Sequence, residues 1–419
     1  MTWHAGLLHL ASLPPSSIKM GLGRVQAALA TLGNPEQRFP SLHVAGTNGK
    51  GSTCAMAASA LHRRYRVGLY TSPHLFEVNE RFKVDGVDLN DEALGTSIAE
   101  VVERLGAHEL TYFELSTVVA FWHFAKVGVD LAVIETGLGG RLDATTACRA
   151  LVTCITPIGF DHMDYLGHTL GAIAGEKAGI VKPGVPLVLS RQPDEAQAVF
   201  DATGASLLRE GRDFSLEVTG PNEGTWRSST RTVERLHWPL TGPHQTQNAA
   251  VAVACLDELG RRGFPLTDDE LRAGVAATRW PGRLESFGGS PEVVLDGAHN
   301  PAGVEVLLRA LDTDFAGRPV HLVFGVFADK DSEPMMRALF PRCDQVILTP
   351  IDNPRSRNPA SYVELARTLA PGVEVTVASS ARAALEAAKA TCPPGGLVLV
   401  AGSLFLVGQL RAVLLGRAR

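Results

Sequence analysis

The stretch HVAGTNGKGSTCAMAASALHRR, residues 43–64, constrains the fold of this chain more than any other. A short apolar approach runs into a loop with three glycines and a lysine, and an alanine-rich segment of helical composition follows at once. This order predicts a strand, a phosphate-binding loop and a helix N-terminus. Glycines let backbone N–H groups approach a polyphosphate, Lys50 adds a positive charge, and Ser52 and Thr53 offer hydroxyls to phosphate or Mg²⁺. The stretch therefore predicts a nucleoside triphosphate site.

The spacing of this loop departs from the usual pattern G-x-x-x-x-G-K-[ST]. Counted from the Gly-Lys pair, the first glycine would fall at Val44, whereas it is Gly46, and Gly51 stands where the first hydroxyl is expected. A glycine-rich turn without a ligand and a dinucleotide loop are the alternatives. An outward-pointing Asn-Gly-Lys has no use in a buried turn, which favours phosphate binding.

Composition narrows the class of protein. A chain of 419 residues predicts two or three domains, and 45% hydrophobic with 20% charged residues is typical of a soluble globular enzyme. The net charge of −5 argues against a nucleic-acid partner. The six cysteines are scattered without a C-x-x-C pair, which predicts reduced core residues in a cytoplasmic protein. Neither a signal peptide nor an apolar run of ~18 residues is evident, so we expect no membrane association.

The apolar pattern predicts an α/β fold in two domains. Alternating strands and helices up to about residue 200 predict a parallel sheet with helices on both faces, and short alternating pieces at 204–240 predict a small antiparallel appendage. Residues 76–86 are interpreted as a polar stretch, and helices are predicted near 91–105, 114–128, 169–178, 244–260 and 267–277. Residues 280–292 concentrate Pro, Gly and Ser and are interpreted as a linker. Five further strands and five helices follow. We predict a P-loop parallel-sheet domain at 1–284 and a Rossmann-like α/β domain at 285–419.

Polar residues follow several strands of the first predicted sheet, where ligands of parallel sheets bind. Ser72 ends the strand 67–72, Glu135 is the carboxylate at the end of the strand 131–137, and His162 follows the strand 150–156. Mg²⁺ prefers oxygen ligands, which suits Glu135 and a serine hydroxyl, whereas histidine is less usual. A carboxylate satisfied by backbone donors is the alternative for Glu135, and an ordinary loop histidine is the alternative for His162.

Nine motifs of the chain resemble, in order and spacing, the folylpolyglutamate synthase/dihydrofolate synthase family within the Mur-type ATP-dependent ligases. The likeness spans roughly residues 18 to 410 and includes the G-T-N-G-K form of the loop. The motifs are GTNGKGS, YTSPHL, LTYFE, ETGLGGRLDAT, GFDHMDYLG, GEKAGIVKPG, HQTQNAA, PGRLE and LDGAHNPAG.

The resemblance implies an ATP-driven amide ligase. ATP would phosphorylate the carboxylate of dihydropteroate or a reduced folate, and the amine of L-glutamate would attack the acyl phosphate. We expect ATP and Mg²⁺ as cofactors, with two metal ions, and a monomer as the working state. The implied nucleotide-binding residues are Thr47, Asn48, Gly49, Lys50, Gly51, Ser52, Asn248, Arg283, Asp296 and His299.

The same resemblance assigns the metal and the catalytic groups. Ser72, Glu135 and His162 match the Mg²⁺ ligands, with Ser52 as a further hydroxyl. Lys50, Lys177 and His162 are the catalytic candidates. Lys177 matches a lysine that is carbamylated in many of these ligases. The sequence without this resemblance would predict a solvated cation on a helix at this position. Arg283 would reach phosphate and Asp296 the ribose side, the alternative for Arg283 being a surface charge on the linker.

Four residues are the candidates for binding the pterin acid: Thr111, Phe113, Asp143 and Ala144. Phe113 could equally belong to the core. Residues 12–15 are a candidate lid over this side of the site.

Two other functions stay open at this point. A cell-wall ligase of the Mur type usually carries an extra N-terminal nucleotide-sugar domain, and only about 45 residues precede the loop here. A P-loop switch or kinase would have an aspartate at the strand end that Glu135 occupies. It would also leave GEKAGI and LDGAHN without roles.

Overall fold

The computed structural model describes residues 1–14, 17, 19–328 and 330–417. Two compact units are present: unit 1 comprises Met1–Pro239 and Gln245–Arg279, and unit 2 comprises Leu240–His244 and Trp280–Arg419. The domain limits 1–284 and 285–419 stay a prediction. Pro15, the last residue of the candidate lid, lies outside the described residues.

An eight-stranded sheet forms the centre of unit 1, in the order β4-β3-β2-β5-β1-β6-β7-β8. Its six strands from β2 to β8 in that order run parallel, and the two at the other edge pair antiparallel. The strands are β1 Ser41–Ala45, β2 Val67–Tyr70, β3 Phe82–Val84, β4 Val87–Asp88, β5 Leu131–Glu135, β6 Ala150–Ile155, β7 Leu187–Leu189 and β8 Leu207–Arg209.

Every residue of β1 and β5 is buried, as expected for central strands covered on both faces. The edge hairpin β3-β4 differs from the prediction, which treated residues 76–86 as a polar stretch without strands. Its polar residues suit an edge strand that keeps one side in solvent, so the apolar pattern is weak there.

Helices connect and flank these strands. The predicted helices near 91–105, 114–128, 169–178, 244–260 and 267–277 are confirmed to within a few residues. The helices of unit 1 are α1 Trp3–Ser12, α2 Gly23–Thr31, α3 Lys50–Leu61, α4 Asp91–Leu105, α5 Tyr112–Val127, α6 Met163–Leu166, α7 Leu170–Ala178, α8 Asp194–Asp201, α9 His244–Arg261, which belongs to unit 1 from its second residue on, and α10 Asp268–Ala276.

The predicted antiparallel appendage is confirmed as a separate three-stranded sheet of β9 Phe214–Gly220, β10 Glu223–Ser228 and β11 Thr232–His237. It begins later than predicted, because β8 still pairs parallel with β7 in the large sheet. Trp226 attaches the appendage to the unit: its indole is buried and its Nε1 donates to the carbonyl of Ala250, 3.0 Å away in α9.

Unit 2 is built on a six-stranded sheet with the order β12-β13-β17-β14-β15-β16. The five predicted strands are parallel, and a sixth, β12, pairs antiparallel with β13 inside the predicted linker. The strands are β12 Glu285–Ser286, β13 Glu292–Leu295, β14 Val320–Phe324, β15 Gln345–Leu348, β16 Glu374–Val377 and β17 Leu397–Ala401. The helices are α11 Pro301–Thr313, α12 Glu333–Leu339, α13 Val363–Leu369, α14 Ala381–Thr391 and α15 Leu404–Leu414.

The six cysteines are buried and unpaired, as predicted. Within the described ranges, no helix combines the length and the apolar character that crossing a bilayer requires.

Candidate active site

The glycine loop between β1 and α3 has the backbone that close approach to an anion needs. Gly46 and Gly49 have φ angles of 143° and 89°, values that residues with a side chain rarely adopt. Gly49 is the N-cap of α3, and it has no side chain with which to cap the first turn. The first N–H groups of a helix lack intrahelical acceptors, so this end of α3 can bind a phosphate.

Two lysines converge on the loop. Lys50 Nζ donates to the carbonyls of Gly46 at 3.2 Å and Thr47 at 3.1 Å. Lys177 Nζ, from α7, donates to the same Gly46 carbonyl at 2.7 Å. Only 5% of Lys177 is exposed, so it is not the solvated helix cation of the alternative interpretation.

The pKa of Lys177 is shifted strongly. Burial and the nearby charge of Lys50 lower the pKa of Lys177 from 10.5 to about 7, while Asp161 and Asp143 oppose this change. A large fraction of its amines is therefore neutral near pH 7. A neutral amine is the nucleophilic form of lysine.

The segment after β6 holds the other side of the loop. Thr47 Oγ1 donates to the carbonyl of Gly159 at 3.0 Å, and the Gly159 N–H lies 3.0 Å from the same hydroxyl. A Cβ on Gly46 would collide with Thr156 Oγ1. Glycine is therefore required at position 46 by both its φ angle and its neighbour. Thr156 could not be identified from the sequence, because a lone threonine at a strand end carries no distinctive pattern.

Helix α9 supplies the loop with amide side chains. A Cβ on Gly49 would collide with Asn248 Oδ1. Asn248 Nδ2 donates to Gln245 Oε1 at 2.9 Å, and Gln245 Nε2 donates to Ser52 Oγ at 3.4 Å. Three of the predicted nucleotide-binding residues, Gly49, Ser52 and Asn248, thus lie together. Gln245 was missed, although it belongs to the motif HQTQNAA.

The predicted metal ligands lie at neighbouring strand ends. β2, β5, β1 and β6 are consecutive in the sheet, so their carboxyl ends lie side by side. Ser72 N–H donates to Glu135 Oε2 at 3.2 Å, and Glu135 is 4% exposed. His162 lies further along, at the N-cap of α6 with φ 51°, and its backbone N–H donates to Asp161 Oδ1 at 3.0 Å.

The donor set at these strand ends suits a hard cation, because it offers a buried carboxylate and serine hydroxyls. No group of three or more His, Cys, Asp and Glu side chains arranged for metal binding occurs within the part of the chain that the structure describes. A magnesium ion held by one or two carboxylates plus phosphate oxygens and water does not need such a group.

The predicted acceptor-binding residues lie around the start of α5. Thr111 is the N-cap: its Oγ1 accepts from Glu114 N at 3.3 Å, and Glu114 Oε2 accepts from Thr111 N at 2.8 Å. Phe113 is half-buried, its ring centroid lies 6.3 Å from that of Tyr70, and its ring would collide with a Cβ on Gly137. Phe113 therefore packs against the turn that follows β5.

Asp143 is engaged by the chain itself. Its Oδ2 accepts from the N–H groups of Gly137 at 3.0 Å and Leu138 at 2.8 Å, and its Oδ1 accepts from Thr145 N at 3.0 Å and from the Thr145 hydroxyl. Burial raises the pKa of Asp143, and these donors oppose the rise. Asp143 thus braces the turn 137–138, with the buried Ala144 beside it.

Arg283, Asp296 and His299 belong to unit 2. Asp296 Oδ2 accepts from Leu284 N at 3.0 Å and its Oδ1 accepts from Ala298 N at 2.9 Å. Burial raises the pKa of Asp296, which the charge of Arg283 opposes. His299 Nδ1 lies 2.8 Å from the carbonyl of Gly297. A Cβ on Gly297, the residue after Asp296, would collide with Arg283 Nη1. Arg283, predicted to reach phosphate, and Asp296, predicted to reach the ribose, are therefore neighbours.

Two family descriptions match the chain. Residues 44–256 match the Mur ligase middle domain, and residues 282–404 match the Mur ligase, glutamate ligase domain. The first match begins in β1 and contains the glycine loop, Glu135, Lys177 and Asn248. The second contains Arg283, Asp296 and His299.

Full-length relatives agree with these matches. The dihydrofolate synthase/folylpolyglutamate synthase of Bacillus subtilis is 36% identical over 414 residues, which are 94% of this chain and 95% of that protein. The solved structure of E. coli FolC in complex with DHPP and ADP superposes with a TM-score of 0.90 at 33% identity and covers 100% of this chain and 98% of that one.

The folylpolyglutamate synthase of Mycobacterium tuberculosis, solved with ADP and AMPPCP, superposes with a TM-score of 0.89 at 32% identity and covers 98% of this chain and 99% of that one. These two solved relatives bind adenine nucleotides. The chain belongs to the folylpolyglutamate synthase/dihydrofolate synthase family of ATP-dependent Mur-type ligases.

Proposed function

We propose that this ligase joins L-glutamate to dihydropteroate, to reduced folate polyglutamates or to both, with formation of ADP and phosphate. The observation that carries the proposal is the full-length likeness to enzymes named for these reactions, together with a glycine loop, two lysines and a buried carboxylate at adjacent strand ends. A switch or kinase would not need a glutamate ligase domain, which the chain matches over residues 282–404.

The nucleotide would bind at the loop between β1 and α3. The open N-terminus of α3 would bind phosphate oxygens through backbone N–H groups, and Lys50 would turn from the loop carbonyls to the phosphates. We assign nucleotide binding to Thr47, Asn48, Gly49, Lys50, Gly51, Ser52, Asn248, Arg283, Asp296 and His299.

We assign Mg²⁺ to Ser72, Glu135 and His162, with Ser52 as a hydroxyl ligand and two ions as the expected number. Bound magnesium would neutralise charge on the transferred phosphoryl group. The N–H of Ser72 donates to Glu135 and fixes one of its carboxylate oxygens at the strand end.

The reaction needs two displacements. A carboxylate oxygen of the acceptor acid attacks the γ-phosphorus of ATP, and the bond to the ADP oxygen breaks. The glutamate amine then attacks the acyl carbon, loses a proton, and phosphate leaves with the electron pair of the C–O bond. Lys50 stabilises the charge on the phosphoryl group in the first step. His162 is the third catalytic candidate beside Lys50 and Lys177.

Lys177 is proposed to carry a carbamate in the active enzyme. Its pKa of about 7 provides the neutral amine that attacks CO₂ with loss of a proton. The product is an anion that keeps one N–H for the Gly46 carbonyl, now 2.7 Å from Nζ. Carbamylation would turn a buried cation into an oxygen ligand for the metal.

The acceptor acid would bind at the start of α5, where Thr111, Phe113, Asp143 and Ala144 lie. Phe113 offers a half-exposed ring to stack on a pterin. Asp143 has its hydrogen-bonding capacity directed at the turn 137–138, so we expect it to act on the acceptor mainly by shaping that turn.

We also propose a cytoplasmic monomer. The six unpaired cysteines support a reducing compartment. Light scattering of the purified protein tests the monomer.

Product analysis tests the function. The purified protein is supplied with ATP, Mg²⁺ and L-glutamate, and with either dihydropteroate or tetrahydrofolate. We expect ADP release that requires both glutamate and a pterin acid, and a product heavier by one glutamate residue in mass spectrometry. ATP turnover with a phosphoryl acceptor and without glutamate would refute the proposal.

A further inference from the structure

Arg81 is a buried arginine of unit 1 that the proposed reaction has not used. It ends a 3₁₀ turn, Val78–Arg81, directly before β3, and it is 7% exposed. Its Nε donates to Nδ1 of His74 at 2.9 Å. Its guanidinium carbon lies 5.3 Å from the ring centroid of Tyr112. The side chain is thus held in one orientation by a ring below it and an imidazole at its side.

Among the described residues, the two terminal nitrogens of Arg81 form no hydrogen bond and no ion pair with a carboxylate. They are not among the fully buried polar atoms, so a ligand can reach them from solvent. A guanidinium has five N–H donors, and here the protein uses one of them. Burying a cation without an anion is costly, since the ring of Tyr112 replaces little of the lost hydration. The two terminal nitrogens, called the fork below, therefore indicate an anion that the protein chain does not supply.

The segment that carries Arg81 is fixed rather than adaptable. Glu80 accepts hydrogen bonds from three successive N–H groups, those of Leu75 at 2.7 Å, Phe76 at 3.1 Å and Glu77 at 3.0 Å. The carbonyl of Arg81 accepts from Thr71 N at 3.1 Å. These bonds set the fork in place before any ligand arrives, which lowers the entropy that binding loses.

The position of the fork identifies the anion. His74 follows Ser72 by two residues, and Ser72 bonds Glu135 at the proposed metal site. Tyr112 lies between Thr111 and Phe113, which we assign to the acceptor. Arg81 contacts His74 and Tyr112 and thus lies between the segment that carries Ser72 and the start of α5. In the proposed function, the reacting end of the acceptor lies at the metal site and its pterin end lies at α5. The reacting end is a carboxylate.

We propose that Arg81 binds the carboxylate of the acceptor acid and presents it for phosphorylation, an inference that rests on the proposed function. The two terminal nitrogens of a guanidinium match the two oxygens of a carboxylate. Each oxygen keeps a lone pair outside the fork, so one of them can still attack the γ-phosphorus. Arg81 is thereby a substrate-binding residue that selects acids over neutral pterins.

The test compares two ligands on three proteins. Dihydropteroate and its carboxamide, in which a neutral amide replaces the carboxylate, are titrated calorimetrically in the presence of AMPPCP and Mg²⁺. The proteins are the parent, Arg81→Gln and Arg81→Lys. Arg64→Gln is the matched control, because Arg64 also lies over a tyrosine ring, 6.0 Å from the centroid of Tyr65, but on an exposed surface.

We expect Arg81→Gln to weaken dihydropteroate binding by roughly ten- to a hundredfold and to leave carboxamide binding within about twofold of the parent. Arg81→Lys should lie in between, because an ammonium keeps the charge without the fork. Arg64→Gln should change neither ligand. Equal weakening of both ligands by Arg81→Gln, or no weakening of either, would overturn the inference.

Failure of the proposed function gives a different result. If the parent protein binds neither pterin and shows no glutamate-dependent turnover, then the assigned substrate is wrong. If the parent binds dihydropteroate and turns over, but the carboxylate preference survives in Arg81→Gln, then only the role of Arg81 is wrong. Melting temperatures of the variants show whether each one is folded.

Discussion

Units 1 and 2 place a helix after a buried parallel strand in two opposite ways. In unit 1, β1 leads through glycines into α3, whose N-cap is Gly49 in a left-handed conformation. In unit 2, β13 leads into α11, whose N-cap Asn300 accepts from Gly303 N at 2.7 Å and whose first residue is Pro301. The first helix end is left open for a ligand, and the second is closed by its own side chain.

The two units also differ in how deeply their positively charged side chains are buried. Arg81 and Lys177 of unit 1 are almost completely buried, whereas every described lysine and arginine of unit 2 is at least partly exposed. Buried cations need anions, and the proposed substrates of unit 1 are anions. Both sheets have parallel central strands. The connections that follow the strand ends, and not the sheets themselves, therefore determine where anions bind.

The largest expected effect comes from replacing one glycine of each unit with alanine, at two positions that have similar φ angles. Gly49→Ala and Gly372→Ala both place a side chain at a positive φ angle, 89° and 93°. The new Cβ meets Asn248 at the first position and nothing within 4 Å at the second. We expect Gly372→Ala to lower the free energy of unfolding by about 1–2 kcal/mol and Gly49→Ala to lower it by about 3 kcal/mol.

Gly49→Ala should also raise the KM for ATP roughly tenfold, because the loop must shift to release Asn248. Urea unfolding and steady-state kinetics measure the two effects. Equal destabilisation at the two positions, with the KM for ATP unchanged, would show that the loop of unit 1 is not specially constrained.

A smaller effect is expected in the pH dependence of stability. The pKa of Lys177 is about 7 in the folded protein and near 10.5 when unfolded. Between these values the unfolded lysine binds a proton that the folded one lacks, so stability rises with pH; below about pH 7 both are protonated and the folded state bears the full cost of the buried charge. The free energy of unfolding of Lys177→Met should therefore exceed that of the parent by the largest amount at about pH 7 and below.

This advantage of Lys177→Met should shrink by up to about 1.4 kcal/mol per pH unit as the pH rises from about 7 to 10. Urea unfolding at several pH values gives the difference, and Lys389→Met, on an exposed face of α14 in unit 2, controls for the loss of a surface charge. A difference that stays constant between pH 7 and pH 10 would mean that the buried amine is still charged in the folded protein.

The smallest effect is expected at the closed helix end of unit 2. Asn300→Ala removes the cap of α11 and should lower the free energy of unfolding by about 1 kcal/mol, while Asn300→Ser should restore most of it. The KM for ATP should stay within about twofold of the parent. A large rise in this KM with unchanged stability would place Asn300 on the nucleotide and remove the contrast between the two helix ends.

Most of the fold could be predicted from the sequence because central strands and long helices carry clear apolar periods. The helix α4 is an example: its apolar spacing, the cap Asn90 and the terminal charges agree, and the predicted limits 91–105 are those observed. The strands β3, β4 and β12 were not predicted, since two- or three-residue edge strands are defined by pairing with partners and not by their own residues.

The site was less predictable, since motifs identify residues but not their contacts. The loop, Glu135 and Lys177 could be found from spacing and family likeness, yet the burial of Lys177 could not. Gln245 and Arg81 were missed, because an amide in a helix and an arginine in a polar stretch are common. Their significance depends on what lies beside them: Ser52 for Gln245, and Tyr112 and His74 for Arg81.

The position of β1 between β5 and β6 has a consequence for synthesis of the protein. β1 pairs with residues 132–135 and 150–155, and Gly49 rests against Asn248, so an early segment depends on late ones. At roughly 5–20 residues per second, Asn248 is made about 10–40 s after the loop. A nascent chain on the ribosome should therefore acquire nucleotide affinity only once α9 has emerged, and ATP binding would report that unit 1 has completed folding.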